Sequence, residues 1–378
     1  MAGSCEPHRP LCMSLVPSRK IARFAALVAV AMCTLSGCDW QSGGSGEELS
    51  YASNGGSGVT TEPSPQPEAP VPCEGVCLPW LVGRLRFNDY FGLEHLSVDP
   101  VRQRVYAKGR RVDASNPRDM KVTPLPKPGR AAVNPVTGRY VTTDSEGHDL
   151  FVFNADDTLY DSLTLPGALT SIAAEPATGL LYLTTQNENQ LVVYDEGSRV
   201  LRASRPLDVT PGEAVFDPGS NQVFVNWYRP PSPNGLGSYE YHSLIVDRNY
   251  EPGASVSGYV LATHPTQDLV YVEGSPDSRL EIRTSGTWDL AGIQLNTDAY
   301  WAALDPVLNR LYVRQLYGVA VFDQSSGVLL GSLPLGDPDV LMEVAFVPGD
   351  NRIYVEELVT VEDPQSPDRF DLLVFATQ

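Results

Sequence analysis

Four polar groupings have residue types able to do chemistry. Asp144-Ser145-Glu146-Gly147-His148-Asp149 offers carboxylates and an imidazole. Such oxygens could hold a hard cation, though the spacing is not that of a calcium loop. The same residues read equally as a solvated acidic hairpin. Gln186-Asn187-Glu188-Asn189 is a second polar hairpin of this kind. The insertion from Trp227 to Tyr241 carries Trp227, Tyr228, Arg229, three prolines, Tyr239 and Tyr241. Aromatic rings and arginine on a proline-stiffened loop are the types enriched at recognition hot spots, and they would also serve as a loop packed over the fold. A further insertion, 356–369, is acidic and reads as a solvated flap.

The histidines His95, His148, His242 and His264 are not spaced as metal ligands on one element, and His264 directly precedes a proline. There is no nucleophile elbow, H-E-x-x-H, phosphate loop or dinucleotide fingerprint. No catalytic residue and no metal ligand is therefore assigned from local motifs. Any site must be assembled from separated segments of chain.

Those segments recur with a fixed beat. A residue such as Asp, Asn, Glu or His precedes a proline, a short polar stretch follows, and then an apolar-aromatic-apolar triplet. The prolines are Pro100, Pro135, Pro176, Pro218, Pro265, Pro306 and Pro348, spaced by 35, 41, 42, 47, 41 and 42 residues. The aromatics are Tyr106, Tyr140, Tyr182, Phe224, Tyr271, Tyr312 and Tyr354. Asx-Pro starts a turn, because proline presets φ and the side chain bonds nearby N–H groups. The triplet, rich in β-branched and aromatic residues, is a strand signature. A second apolar run follows in most units, as at Leu150–Phe153 and Leu191–Tyr194. Four short strands per 40–45 residues is the period of a β-propeller blade. Residues 81–378 give seven such units of about 43 residues.

Tyr182-Leu183-Thr184-Thr185 followed by Gln190-Leu191-Val192-Val193-Tyr194-Asp195 resembles the YVTN-type repeat of bacterial and archaeal surface proteins. The resemblance extends over roughly 81–378 and implies an all-β, seven-bladed β-propeller of four-stranded blades, with no common catalytic residue to carry over. The last unit stops after its third strand, Leu372–Phe375, and Trp80–Phe87 is an orphan strand before the first unit. Leu81–Phe87 is expected to pair with Leu372–Phe375 and close the ring, which removes exposed edges. The Asp-Pro acids are then turn chemistry, and ligand contacts belong to the loops of the opposite face.

Upstream, Arg19, Lys20 and Arg23 precede an apolar run from Phe24 to Leu35, too short to span a bilayer and ordered like a secretory signal. It ends in Leu35-Ser36-Gly37-Cys38, which resembles the lipobox of bacterial lipoproteins. That resemblance implies cleavage before Cys38 and its triacylation with palmitate-type chains, a stable membrane anchor without a transmembrane helix. Residues 1–37 are the signal peptide, with Met1 or Met13 as the start. Residues 38–79 form the lipidated, Gly/Ser/Pro-rich tether with a Cys73–Cys77 disulfide turn, and 80–378 the propeller.

Thirty-two glycines and thirty-two prolines, with 19 % charged residues, exclude a helical bundle. Removing 1–37, where Arg9, Arg19, Lys20 and Arg23 face only Glu6, takes the formal charge from −19 to −22. Such a chain lacks the clustered cations of a nucleic-acid binder. The expected protein is a monomeric propeller in the cell envelope, anchored to a bacterial membrane, inner or outer, and binding a protein or glycan. The candidate contacts are Trp227, Tyr228, Arg229, Tyr239, Asp144, Glu146, His148 and Asn187. The rival is a propeller hydrolase or lactonase with a divalent cation in the central channel, built from acids with His95 or His148.

Overall fold

The computed structural model describes residues 59–60, 78–87, 96–107, 109–144, 146–230, 239–274, 279–315, 318–333, 335, 340–347, 351–359 and 369–377. Their strands pair into seven antiparallel sheets, the blades of the expected propeller. Blade 3 shows the plan: Leu169–Glu175 innermost, then Leu180–Thr185, Gln190–Asp195 and the outer Val200–Pro206. The other inner strands are Ser97–Asp99, Ala131–Val133, Ala214–Asp217, Tyr259–Thr263, Trp301–Asp305 and Val340–Val347. Each touches the next, and the last touches the first, so the ring is complete.

The proline beat sets each blade's first turn. Asp99 Oδ1 accepts the N–H of Val101 at 3.0 Å and of Arg102 at 3.1 Å. Asp305 Oδ1 does the same for Val307 and Leu308, both at 3.0 Å. Proline has no N–H, so the acceptor reaches past it to the next two. His264 stands in the same slot, its Nδ1 accepting from Thr266 at 3.2 Å and Gln267 at 3.0 Å.

The beat aromatics fill the seams between blades. Six of them are fully buried and Tyr182 is 5 % exposed. The Tyr106 ring lies 5.0 Å from Tyr140 of blade 2, and Tyr182 stacks at 5.7 Å on Phe216 of blade 4. Tyr354 of blade 7 packs with Val98 and Val105 of blade 1, which joins the two ends of the ring in one core.

Closure follows the expected pairing of Leu81–Phe87 with Leu372–Phe375. Trp80–Phe87 is the outer strand of blade 7, with Leu81 opposite Phe375 and Leu85 opposite Leu372. Within the stretch read as an unpaired tether, Val59–Thr60 forms a two-residue strand on the free edge of Phe87 and Arg86. Two β-branched residues suit an open edge. Cys38, Cys73 and Cys77 lie outside the described residues. The acidic segment 356–369 corrects the flap reading at its start. Glu356 and Glu357 are buried in the strand Arg352–Val359, opposite Leu372 and Asp371. Pairing with the third strand carries them inside, where Arg84 lies 3.5 Å from Glu357.

Candidate functional site

The two faces of the ring differ in chemistry. The turn face collects the Asp-Pro turns and the links between third and outer strands. Its acids are tied to backbone: the Ser198 N–H holds the Asp195 carboxyl down to about 2. Asp247 Oδ1 likewise accepts from Asn249 and Glu251. These carboxylates spend their lone pairs on turns, like the Asp-Pro acids. The other face carries the second-to-third-strand hairpins and the crossovers between blades, and we call it the mouth.

Strand register builds the mouth. Two residues beyond the beat aromatics of blades 2 to 7, the second strand bears Thr142, Thr184, Asn226, Glu273, Arg314 and Glu356. Opposite them stand Ala131, Ser171, Tyr259, Trp301 and Glu343 on the inner strands and Glu213 just before one. The second-strand set is polar at every position, and Thr142, Thr184, Asn226 and Glu356 are fully buried. Buried polar groups need partners, and several find them across a seam. Thr184 Oγ1 donates to Gly212 O at 2.8 Å, and Asn226 Nδ2 donates to Val260 O at 2.8 Å. Asn226 Oδ1 accepts from Val260 N at 3.0 Å and from Ser243 Oγ at 2.7 Å. Arg130 bonds the carbonyl of Thr170 in the next blade.

Below the mouth runs the central channel. One space of about 260 Å³ is lined by Arg130, Ser171, Glu213, Phe216 and Leu261, among others. Another of about 300 Å³ is lined by Ala262, Pro265, Leu304, Val344 and Phe346. Leu96 and Trp301 border both. Arg130 and Glu213 line the channel near the mouth, and Ser97 and Thr263 line it further in among apolar side chains.

The two described ends of the insertion on blade 4 are strand. Gln222–Arg229 and Glu240–Val246 continue the blade upward, with Tyr228 opposite Tyr241 and Arg229 opposite Glu240; residues 231–238 lie outside the description. One side of this hairpin is self-contained. Trp227 stacks on His242 at 4.4 Å and donates to Ser255 Oγ at 3.0 Å. Arg229 pairs with Glu240 at 3.1 Å. The other side is an arc of phenols: Tyr228 meets Tyr239 edge-on at 5.5 Å, and Tyr241 meets Tyr259 of blade 5 edge-on at 5.8 Å. Burial raises the Tyr241 phenol above its ordinary value, and the nearby Glu273 and Tyr300 raise it further. Tyr259 is pushed well up by burial and then by Glu213.

Of the sequence-derived candidates, Tyr228 and Tyr239 join this arc, while Trp227 and Arg229 serve the back of the hairpin. Asp144 Oδ1 accepts from His148 N at 2.9 Å and closes its own hairpin on blade 2, leaving Glu146 and His148 exposed. Asn187 is exposed on blade 3 in a left-handed conformation, φ 70°, that suits asparagine in a turn. His95 lies outside the described residues. Among the described residues no three His, Cys, Asp or Glu side chains gather as a metal site. Sequence reasoning missed Glu213, Tyr259, Glu273, Tyr300, Trp301 and Arg314; only Glu273 and Arg314 carried a signal, their position two residues beyond the beat aromatic.

In sequence, the chain matches no protein family and no curated protein.

Proposed function

We propose that this is a cell-envelope lipoprotein, anchored through Cys38, whose YVTN-type propeller binds a partner at its mouth. The observation that carries the binding reading is the phenol arc of blades 4 and 5, with Tyr300 of blade 6 near enough to raise the Tyr241 phenol. It stands beside the carboxylates of Glu213 and Glu273 and the channel opening. Aromatic rings with a few convergent polar groups are the usual make-up of a recognition site. The anchor is supported by the order of basic residues, apolar run and Leu-Ser-Gly-Cys, and residues 39–58 supply spacing from the lipid. An acidic chain near an anionic membrane is repelled, so its association needs the acyl chains.

The test pairs two variants. Tyr228→Ala with Tyr300→Ala should abolish partner capture by the intact protein on cells, scored by crosslinking. Cys38→Ala should abolish labelling with a fatty-acid analogue and release the protein from the membrane fraction. Unchanged crosslinks would refute the mouth, and labelling that survives Cys38→Ala would refute the anchor.

A further inference from the structure

We propose that blade 1 is the edge on which the anchored propeller rests against an anionic lipid surface, which turns the phenol arc of blades 4 and 5 to the medium. The inference rests on the Cys38 anchor and adds a second membrane contact and an orientation.

Charge on this chain is segregated by blade. Residues 96–130, the span of blade 1, hold nine of the 27 Lys and Arg against three acids, Asp99, Asp113 and Asp119, a net +6. The five spans that follow, 131–168, 169–212, 213–258, 259–300 and 301–339, are each net negative by two to five, and 340–378 by six. Some of the blade 1 cations stitch it to its neighbours. Arg111 pairs with Asp157 of blade 2, Arg104 donates to Ala155 O at 2.9 Å, and Arg130 bonds the carbonyl of Thr170. A bond to a carbonyl leaves the guanidinium its charge. With the three internal acids and Asp157 all matched, five of the nine cations are still left over. Arg118 and Lys121 stand exposed, one in the link to the outer strand and one at that strand's first residue. On one flank the outer strand of blade 7, Trp80–Phe87, is basic as well, with Arg84 and Arg86 and no acid.

The chain from the anchor arrives at this same edge. Residues 39–58 join Cys38 to Val59, which pairs with Phe87 on the outer edge of blade 7. The Arg110 guanidinium of blade 1 lies over that Phe87 ring, 5.2 Å from its centroid. The lipid is thus tied to the fold beside its one basic blade.

Screening decides which charges the membrane feels. At physiological salt, charges more than about 8 Å from a surface are largely screened from it. Four strands at about 4.8 Å spacing make a blade roughly 15 Å deep. Blades 4 and 5 lie across the closed ring from blade 1, well beyond that range. A uniformly acidic ring would be repelled in every orientation, whereas this one is attracted through a single edge. An acyl anchor joined to a basic patch is the pairing that makes membrane association stable. Tyr228, Tyr241 and Tyr259 then stand farthest from the lipid.

The test places the photocrosslinker p-benzoylphenylalanine at Thr123, exposed on the outer strand of blade 1, or at Ala254, exposed on that of blade 4. Each full-length lipoprotein is reconstituted into phosphatidylcholine vesicles with or without phosphatidylglycerol, and lipid adducts are measured by mass spectrometry. With phosphatidylglycerol, the Thr123 position should capture lipid roughly tenfold more than the Ala254 position. Phosphatidylcholine alone, or about 1 M salt, should remove most of that lead. Arg118→Glu with Lys121→Glu should erase it, and Arg248→Glu, exposed on blade 4, should leave it intact. Equal capture at the two positions, or a lead that ignores both phosphatidylglycerol and charge reversal, would overturn the proposal. Protein that takes the fatty-acid label yet shows equal capture keeps the anchor and loses the orientation. Protein without the label that still shows the lead keeps the basic contact and loses the anchor. In cells, capture of an acidic protein at Thr123 in place of lipid would overturn the lipid assignment.

Discussion

Arg86 clasps Asp371 in a two-pronged ion pair across 285 residues of chain: Nε donates to Oδ1 over 3.0 Å and Nη2 to Oδ2 over 3.2 Å. The Asp371 side chain is fully buried, and Arg84 lies 3.5 Å away. This clasp joins the first strand of the propeller to its last, where the ring would otherwise present two open edges. Removing one partner leaves a buried charge short of compensation, whereas replacing both with apolar residues does not. Arg86→Ala should cost about 3 kcal/mol, and Arg86→Met with Asp371→Leu distinctly less. Urea unfolding of the three proteins checks this; equal losses would show that the strand pairing alone closes the ring.

His264 gives the first turn of blade 5 a titrating imidazole where Asp99, Asn134 and Asp305 serve the other blades. Its Nδ1 accepts two backbone N–H groups, which only the neutral ring can do. Burial lowers its pKa from the ordinary 6.5, with Asp217 opposing. The unfolded chain therefore binds the proton more readily than the folded one. The stability this group contributes is complete above the unfolded value of 6.5 and is lost as pH falls through the lowered folded value. His264→Asn keeps an acceptor and removes the titration. From pH 7.5 to 5, wild-type Tm should fall further than that of His264→Asn, and parallel curves would refute the assignment.

The propeller itself was legible because its signal is local and repeated. Asx-Pro turns and buried aromatics are short-range chemistry, and Leu81–Phe87 could be paired with Leu372–Phe375 simply because one strand was missing and one spare. The mouth was not legible, because its members meet only through register. Glu213 is a loop carboxylate in the sequence and becomes a channel residue once it lies opposite Asn226. In blade 5 a bulge between Val260 and Ala262 slips the pairing by one, so Tyr259 stands opposite Glu273. Trp227 misled for the opposite reason. Its type suggested recognition, but strand alternation turns it to the back of the hairpin, against His242.

The seam aromatics differ in what their hydroxyls do. Tyr182 donates to Oε2 of buried Glu175 at 3.0 Å, whereas blade 4 uses Phe224 at the same beat and needs no hydroxyl. Tyr182→Phe should cost about 1–3 kcal/mol, because the carboxylate loses its partner inside the seam. Tyr182→Ala should cost about 3–5 kcal/mol by adding a cavity. Combining Tyr182→Phe with Glu175→Leu should recover part of the first loss. Chemical denaturation of the set decides it, and additivity in the double variant would show that the bond contributes nothing.

Asn226 is where fold and mouth depend on one side chain. It is fully buried, accepts from Val260 N and Ser243 Oγ, and donates to Val260 O. It thereby fixes the start of blade 5's inner strand, one residue after Tyr259. Its own carbonyl accepts from Gly212 N at 2.7 Å, just before Glu213. Asn226→Ala leaves the Val260 carbonyl without that donor inside the seam, and should cost about 2 kcal/mol. Asn226→Asp keeps the acceptor but sets a buried charge against the same carbonyl, and should cost more. In both variants the Tyr241 and Tyr259 ring resonances should shift while those of Tyr106 and Tyr140, seated in blades 1 and 2, stay in place. Side-chain NMR of tyrosine-labelled protein provides the measurement, and uniform shifts across all four rings would mean that Asn226 supports the whole ring rather than the mouth.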